Sequence, residues 1–170
     1  RDGLPARCLV LFSPGDRTSL GWAMQASAGR AATSDERRRL DMAQQQLRRM
    51  EAVAEGDMCR EQALLLAVGE LVDPCGRCDR CSAAPKWRDW SLQAQTLLSH
   101  LEQLDGTDMR RLGEHLALHE TGRGDRWTWL ARRLVQEELI RESNDGIQRL
   151  HLRESGRRFL EDPWSLDFAA

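Results

Sequence analysis

Three cysteines spaced two residues apart, Cys75, Cys78 and Cys81, constrain this chain more than any other feature. Such gaps let three sulfurs from one tight loop converge on a point, and Pro74 and Gly76 supply the turn chemistry that the loop needs. Cys59 offers a fourth sulfur from the start of the apolar run Ala63 to Val68, which reads as a helix. No histidine lies nearby in sequence, so an all-cysteine Zn2+ site held by Cys59, Cys75, Cys78 and Cys81 is the favoured reading. A closed shell of four ligands leaves no open position for catalysis, which makes the metal structural.

Three other uses of these cysteines compete. Disulfides suit a secreted chain, and nothing here looks secreted. A Cys-x-x-Cys redox pair normally follows a strand in a thioredoxin-like unit, and no such strand precedes Cys75. An iron–sulfur cluster stands closer, because Cys-x-x-Cys-x-x-Cys opens the bacterial ferredoxin pattern, but Pro85 stands where that pattern places its next cysteine.

With 170 residues the chain has room for one large domain or two small ones. Its net charge of −2 does not by itself announce a nucleic-acid partner. The charge is locally uneven: from Arg110 to Arg133 six arginines face three acids. Lys86 is the one lysine among 25 basic residues, and arginine suits forked contacts to phosphate. No apolar run approaches the length of a membrane span, and no signal peptide is evident, so a cytoplasmic protein without a membrane partner is expected.

Read in order, Arg7 to Phe12 has the pattern of a buried strand, with Cys8 as a core thiol. It has no partner strand in the next sixty residues, which suggests that its neighbours lie upstream and that the chain is a piece of something longer. Asp16 is placed to cap a first helix, and Ser34 a longer, charged one. On that second helix Arg37, Arg38, Arg48, Arg49 and Glu51 read as a solvated face.

A boundary falls at Ala83-Ala84-Pro85-Lys86. Beyond it, apolar periodicity predicts helices beginning at Ser91, near Met109 and near Trp127, with a polar loop from His119 to Asp125 before the last. A β-hairpin follows, running from Ile140 to Leu152 through a tip at Asn144-Asp145-Gly146. Three helices and a hairpin are the order of a winged helix, a helix-turn-helix variant whose third helix commonly meets nucleic acid. That places Arg123, Arg126, Arg132 and Arg133 near phosphates, with Trp129 stacking on a base or packing on a neighbouring domain and Asn144 at the wing tip. Trp127 reads as core. His100, His115, His119 and His151 show no metal or catalytic spacing, and no complete active site is present.

The expected class is therefore mainly α with a small β component. A helical four-cysteine zinc subdomain at 14–84 precedes a winged-helix domain at 85–165, with 1–13 closing an upstream domain and 166–170 forming a tail that Trp164 and Phe168 dock as apolar anchors.

Together these pieces resemble the C-terminal part of RecQ-family DNA helicases. Arg1-Asp2-Gly3-Leu4-Pro5-Ala6 with Ser13-Pro14-Gly15-Asp16 is similar to the end of their motif VI. Met58-Cys59-Arg60 and Pro74-Cys75-Gly76-Arg77-Cys78-Asp79-Arg80-Cys81 are similar to their zinc-binding subdomain, and the helix and wing after Trp127 resemble their winged helix more weakly. The resemblance implies an ATP-driven enzyme that unwinds duplex DNA 3′-to-5′ in recombination and repair, in a bacterial nucleoid. In the full-length parent it implies ATP, Mg2+ and motor domains of the same chain, with duplex, fork or junction DNA and a single-strand-binding protein as partners. Arg1 falls on the motif VI arginine finger, which would stabilise charge on the γ-phosphate. This chain would not hydrolyse ATP alone. The wing tip lacks an aromatic residue, so strand splitting of the kind some relatives perform is not expected of it. The rivals to this reading are a stand-alone zinc-containing winged-helix regulator and an iron–sulfur protein.

Overall fold

The computed structural model describes residues 8–28, 33–83, 86–121, 123–143 and 149–169. Arg1 and Asn144, proposed from the sequence as an arginine finger and a wing-tip contact, lie outside them.

The first unit is a helical hairpin. Helix α1 (Pro14–Ala28) starts with proline at its first position, where a missing N–H costs nothing. Asp16 is not the residue before the helix, as its short polar side chain suggested. It sits in the first turn and accepts a hydrogen bond from the Ser13 backbone at 2.8 Å. Helix α2 (Ser34–Glu55) is likewise capped one residue earlier than expected, by a reciprocal Thr33–Glu36 pair. The backbone and hydroxyl donors of Thr33 hold the Glu36 carboxyl below its usual range. Short helices α3 (Arg60–Leu66) and α4 (Asp79–Ser82) flank the cysteine loop.

Residues 8–13 form no strand, and Leu9, Val10 and Leu11 are exposed, as is Cys8. The apolar run has strand composition, but a strand forms only against a hydrogen-bonding partner, and none pairs with it among the described residues.

The second unit holds almost the whole apolar core. Helices α5 (Ser91–Gln103), α6 (Met109–His119) and α7 (Gly124–Gln136) precede an antiparallel pair, β2 (Ile140–Glu142) and β3 (Leu150–Leu152), in register Ile140 to Leu152. The turn at 106–108 adds to β3 through bonds between Gly106 and Leu150 and between Leu150 and Thr107. Asp108 caps α6 by accepting from the Arg111 amide at 2.9 Å. Leu97, Leu98, Leu101, Leu112, Leu116, Leu130 and Leu134 interdigitate at the centre and are essentially inaccessible. Helices α6 and α7 cross closely at Gly113, where an added Cβ would lie 2.5 Å from Thr128 Oγ1 and 2.9 Å from the Gly124 carbonyl.

Three elements of this unit were not anticipated. Helix α8 (Glu154–Glu161) packs Phe159 into the core. The supposed tail at 166–170 contains β4 (Asp167–Ala169), which pairs antiparallel with β1 (Trp87–Asp89) and buries Phe168, so the end of the chain closes back on the boundary between the units. Trp164 stays partly exposed, edge-on to Phe159.

The contrast in burial between the units is the main energetic fact of the fold. Among the described residues of 14–82, only Val53 and Cys59 are buried apolar side chains, while Leu64, Leu66, Val68 and Leu71 are exposed. So little buried apolar surface cannot offset the chain entropy of ordering about 70 residues, and this unit therefore depends on metal ligation and on contacts to its neighbour.

Candidate metal centre and interdomain contact

The four cysteine sulfurs converge: the Sγ atoms of Cys59, Cys75, Cys78 and Cys81 lie within 4.8 Å of one another. Cys59 and Cys78 are 3.9 Å apart, close to the roughly 3.8 Å edge of a tetrahedron with Zn–S bonds of about 2.3 Å. Gly76, at φ +69°, turns the loop so that Cys75 and Cys78 face inward. The Cys75 amide donates to Cys59 Sγ at 3.3 Å. That donor, with the Gln62 amide, draws the Cys59 thiol down to about 6, and the Arg60 amide lowers Cys78 in the same way. Hydrogen bonding to Cys78, with burial, pushes Cys81 up to about 12. Four crowded sulfurs therefore do not all ionise without a cation, and a bound dication supplies that charge. The donor set and spacing fit a structural Zn2+ held by all four cysteines, as expected from the sequence.

Arginines tie this loop to the end of α2. Arg60 holds Asp79 in a fork, at 3.0 Å from Nε and 2.8 Å from Nη2, and its Nη1 donates to the carbonyls of Val53 and Gly56. Arg80 donates to the Glu55 carbonyl at 3.3 Å. Cations on these carbonyls satisfy groups that a helix C-terminus leaves open.

The same corner grips α7. Arg132 meets the Glu55 carboxylate through Nε and Nη2, each at 2.9 Å, and Arg133 pairs with Asp57 while its guanidinium covers the Phe168 ring at 4.7 Å. A third arginine, Arg17 of α1, bridges Glu51 of α2 and Glu142 of β2. All three arginines are buried, as are Glu51 and Glu142. Burial pushes the Glu51 carboxyl up, against the pull of Arg17, and lowers the Arg17 guanidinium.

This overturns part of the nucleic-acid assignment. Arg132 and Arg133 are interior residues whose charge is spent on carboxylates, so they do not face phosphates. Glu51, read as solvated, belongs to the same buried network. Trp129 packs against Trp90 at 4.8 Å and Phe168 at 6.1 Å, so its ring is engaged within its own unit and not on a neighbouring domain. From Trp127 to Gln136 no residue of α7 is fully exposed. Only its first turn opens outward, with Arg123 exposed beside Asp125 and Arg126 lying over the Trp90 ring at 4.6 Å.

The histidines are not all scattered. His115 and His119, one helical turn apart on α6, lie ring to ring at 4.4 Å, a pairing that their i, i+4 spacing could have suggested, and His115 also meets His100 of α5 at 3.3 Å. His151 stands apart, bonded to Asp105 at 3.1 Å.

Residues 14–82 match the RecQ zinc-binding family. The chain is also similar to the ATP-dependent DNA helicase RecQ of Bacillus subtilis (strain 168), with 30% identity over 100 residues that cover 58% of this chain and 16% of that protein. No helix among the described residues is long and apolar enough to cross a membrane. The matched span contains the whole four-sulfur cluster and the arginines that brace it, and the chain thus carries a RecQ zinc-binding region.

Proposed function

We propose that this chain is the zinc-binding and winged-helix portion of a RecQ-like ATP-dependent DNA helicase, acting on duplex, forked or junction DNA in recombination and repair. The observation that carries the reading is the four-cysteine cluster inside the matched region, followed by three helices and an antiparallel strand pair in winged-helix order. In the parent enzyme, motor domains supply the ATP and Mg2+ sites and 3′-to-5′ movement, with Arg1 as the arginine finger. A cytoplasmic location and a single-strand-binding partner accompany this reading.

The zinc region then acts as a rigid mount and the winged helix as the DNA-facing module. Because α7 is covered along its length, its entry into a groove is replaced by contact from its first turn. Arg123 and Arg126 there, with Arg110 and Arg111 at the start of α6, are the exposed cations of this face. Fluorescence anisotropy with a forked duplex across a salt series tests the assignment. Arg123→Ala with Arg126→Ala is expected to weaken binding and to lower the salt slope by roughly one to two. Unchanged isotherms at every salt concentration would remove this face from the interface.

A further inference from the structure

We propose that the cavity between the start of α5 and the first turn of α7 receives one unpaired pyrimidine base of the bound DNA and favours cytosine. The inference rests on the DNA-facing role proposed for that turn.

The cavity has a volume of about 140 Å3 and opens to solvent. Trp90 and Trp127 wall it, and Gln93, Glu120, Thr121 and Arg126 stand around it. A cavity of about 150 Å3 takes one benzene ring, so this one has room for a six-membered ring but not for a two-ring purine. Both tryptophans are buried, and neither indole N–H has an acceptor among the described residues. Buried donors are ordinarily paired, and two orphans on residues that line one cavity mark a place where the packing of the protein is incomplete. Aromatic walls beside a cationic side chain are the setting in which proteins hold unpaired bases.

The polar groups around the cavity can read the edge of a base. Glu120 meets His100 Nε2 through Oε1 at 3.3 Å, which holds the carboxylate in place and leaves Oε2 as an acceptor. Gln93 carries both a donor and an acceptor. Cytosine presents an amino group at N4, which suits a carboxylate, and its ring nitrogen N3 and carbonyl O2 accept from an amide. Thymine sets the carbonyl O4 where cytosine has the amine, so the carboxylate would face lone pairs. Arg126 is exposed, its guanidinium 4.6 Å from the Trp90 ring centroid, and from there it reaches the phosphate of the same nucleotide.

The test uses the full chain with Zn2+ bound and forked duplexes whose unpaired arms are all cytosine, all thymine, all adenine or abasic, followed by fluorescence anisotropy. The cytosine arm is expected to bind at least about fivefold tighter than the other three. Gln93→Ala should bring the cytosine arm close to the abasic one and leave abasic binding unchanged. Glu120→Gln should admit thymine, because an amide donates to O4, and so erase the preference between the two pyrimidines. Melting curves report whether each variant is folded, and Glu120 is exposed and Gln93 half-buried. Where a variant does not fold, the comparison of arms on the unaltered chain decides. Equal affinity for all four arms would overturn the base pocket and leave the DNA-facing reading intact, whereas no binding to any fork would overturn both. A cytosine preference that survives both substitutions would also overturn the assignment, since recognition would then lie outside this cavity.

Discussion

Arg132 and Glu55 form a two-pronged ion pair, 2.9 Å at each contact, between residues 77 positions apart. It joins the unit that holds the cysteines to the helix at the centre of the apolar core. Neither charge has much access to water, and removing one partner strands the other. Arg132→Ala is therefore expected to cost about 3–5 kcal/mol, the range for breaking a buried pair. Urea denaturation of the zinc-loaded protein measures this, and a loss below about 1 kcal/mol would mean that the pair behaves as a surface contact. The double variant with Glu55→Ala should lose less than the two single losses added together.

Gly113 is needed for the close crossing of α6 and α7. Gly113→Val places methyl groups where Thr128 Oγ1 and the Gly124 carbonyl already stand. Overpacking of this kind costs about 1–3 kcal/mol, so a clear fall in melting temperature is expected, and an unchanged melting temperature would mean that the helices separate freely.

Glu138 adopts a left-handed backbone, φ +59°, just after α7, where the Leu139 amide reaches back to the Leu134 carbonyl at 2.9 Å. That is the position helices usually give to glycine. Its contact to Arg153 is long, 3.7 Å, and exposed on the glutamate side. Glu138→Gly is expected to leave stability unchanged or raise it by up to about 1 kcal/mol, whereas a β-branched Glu138→Val should lower it. Thermal melts of the two variants side by side check the sign, and a lower melting temperature for Glu138→Gly would contradict it.

The parts of this fold that were legible in the sequence are those whose signal is local. Cys75, Cys78 and Cys81 announce their convergence through spacing alone, and α5, α6 and α7 through apolar periodicity. The pairing of β1 with β4 was not legible, because Trp87-Arg88-Asp89 has no alternation and its partner lies about 80 residues away. Arg132 and Arg133 misled for a related reason. Adjacent arginines on a helix ordinarily mean solvent, and only the fold brings Glu55 and Asp57 to them. The strand expected at 7–12 failed in the opposite direction, since composition supplies a strand's preference but not its partner. The meeting of His115 and His119 was readable from their spacing, but the approach of His100 and Glu120 depends on how α5 packs on α6.

One Zn2+ on four sulfurs organises a region with almost no apolar core of its own. Hydrogen exchange on the zinc-loaded protein and on Cys78→Ser, with metal content measured alongside, tests this most directly. Structural zinc contributes on the order of 10 kcal/mol to folding, so the variant should lose the ion. Amides of α2 and α3 should then exchange quickly while those of α5, α6 and α7 stay protected. A variant that retains protection across α2 and α3 without bound zinc would contradict the organising role of the metal.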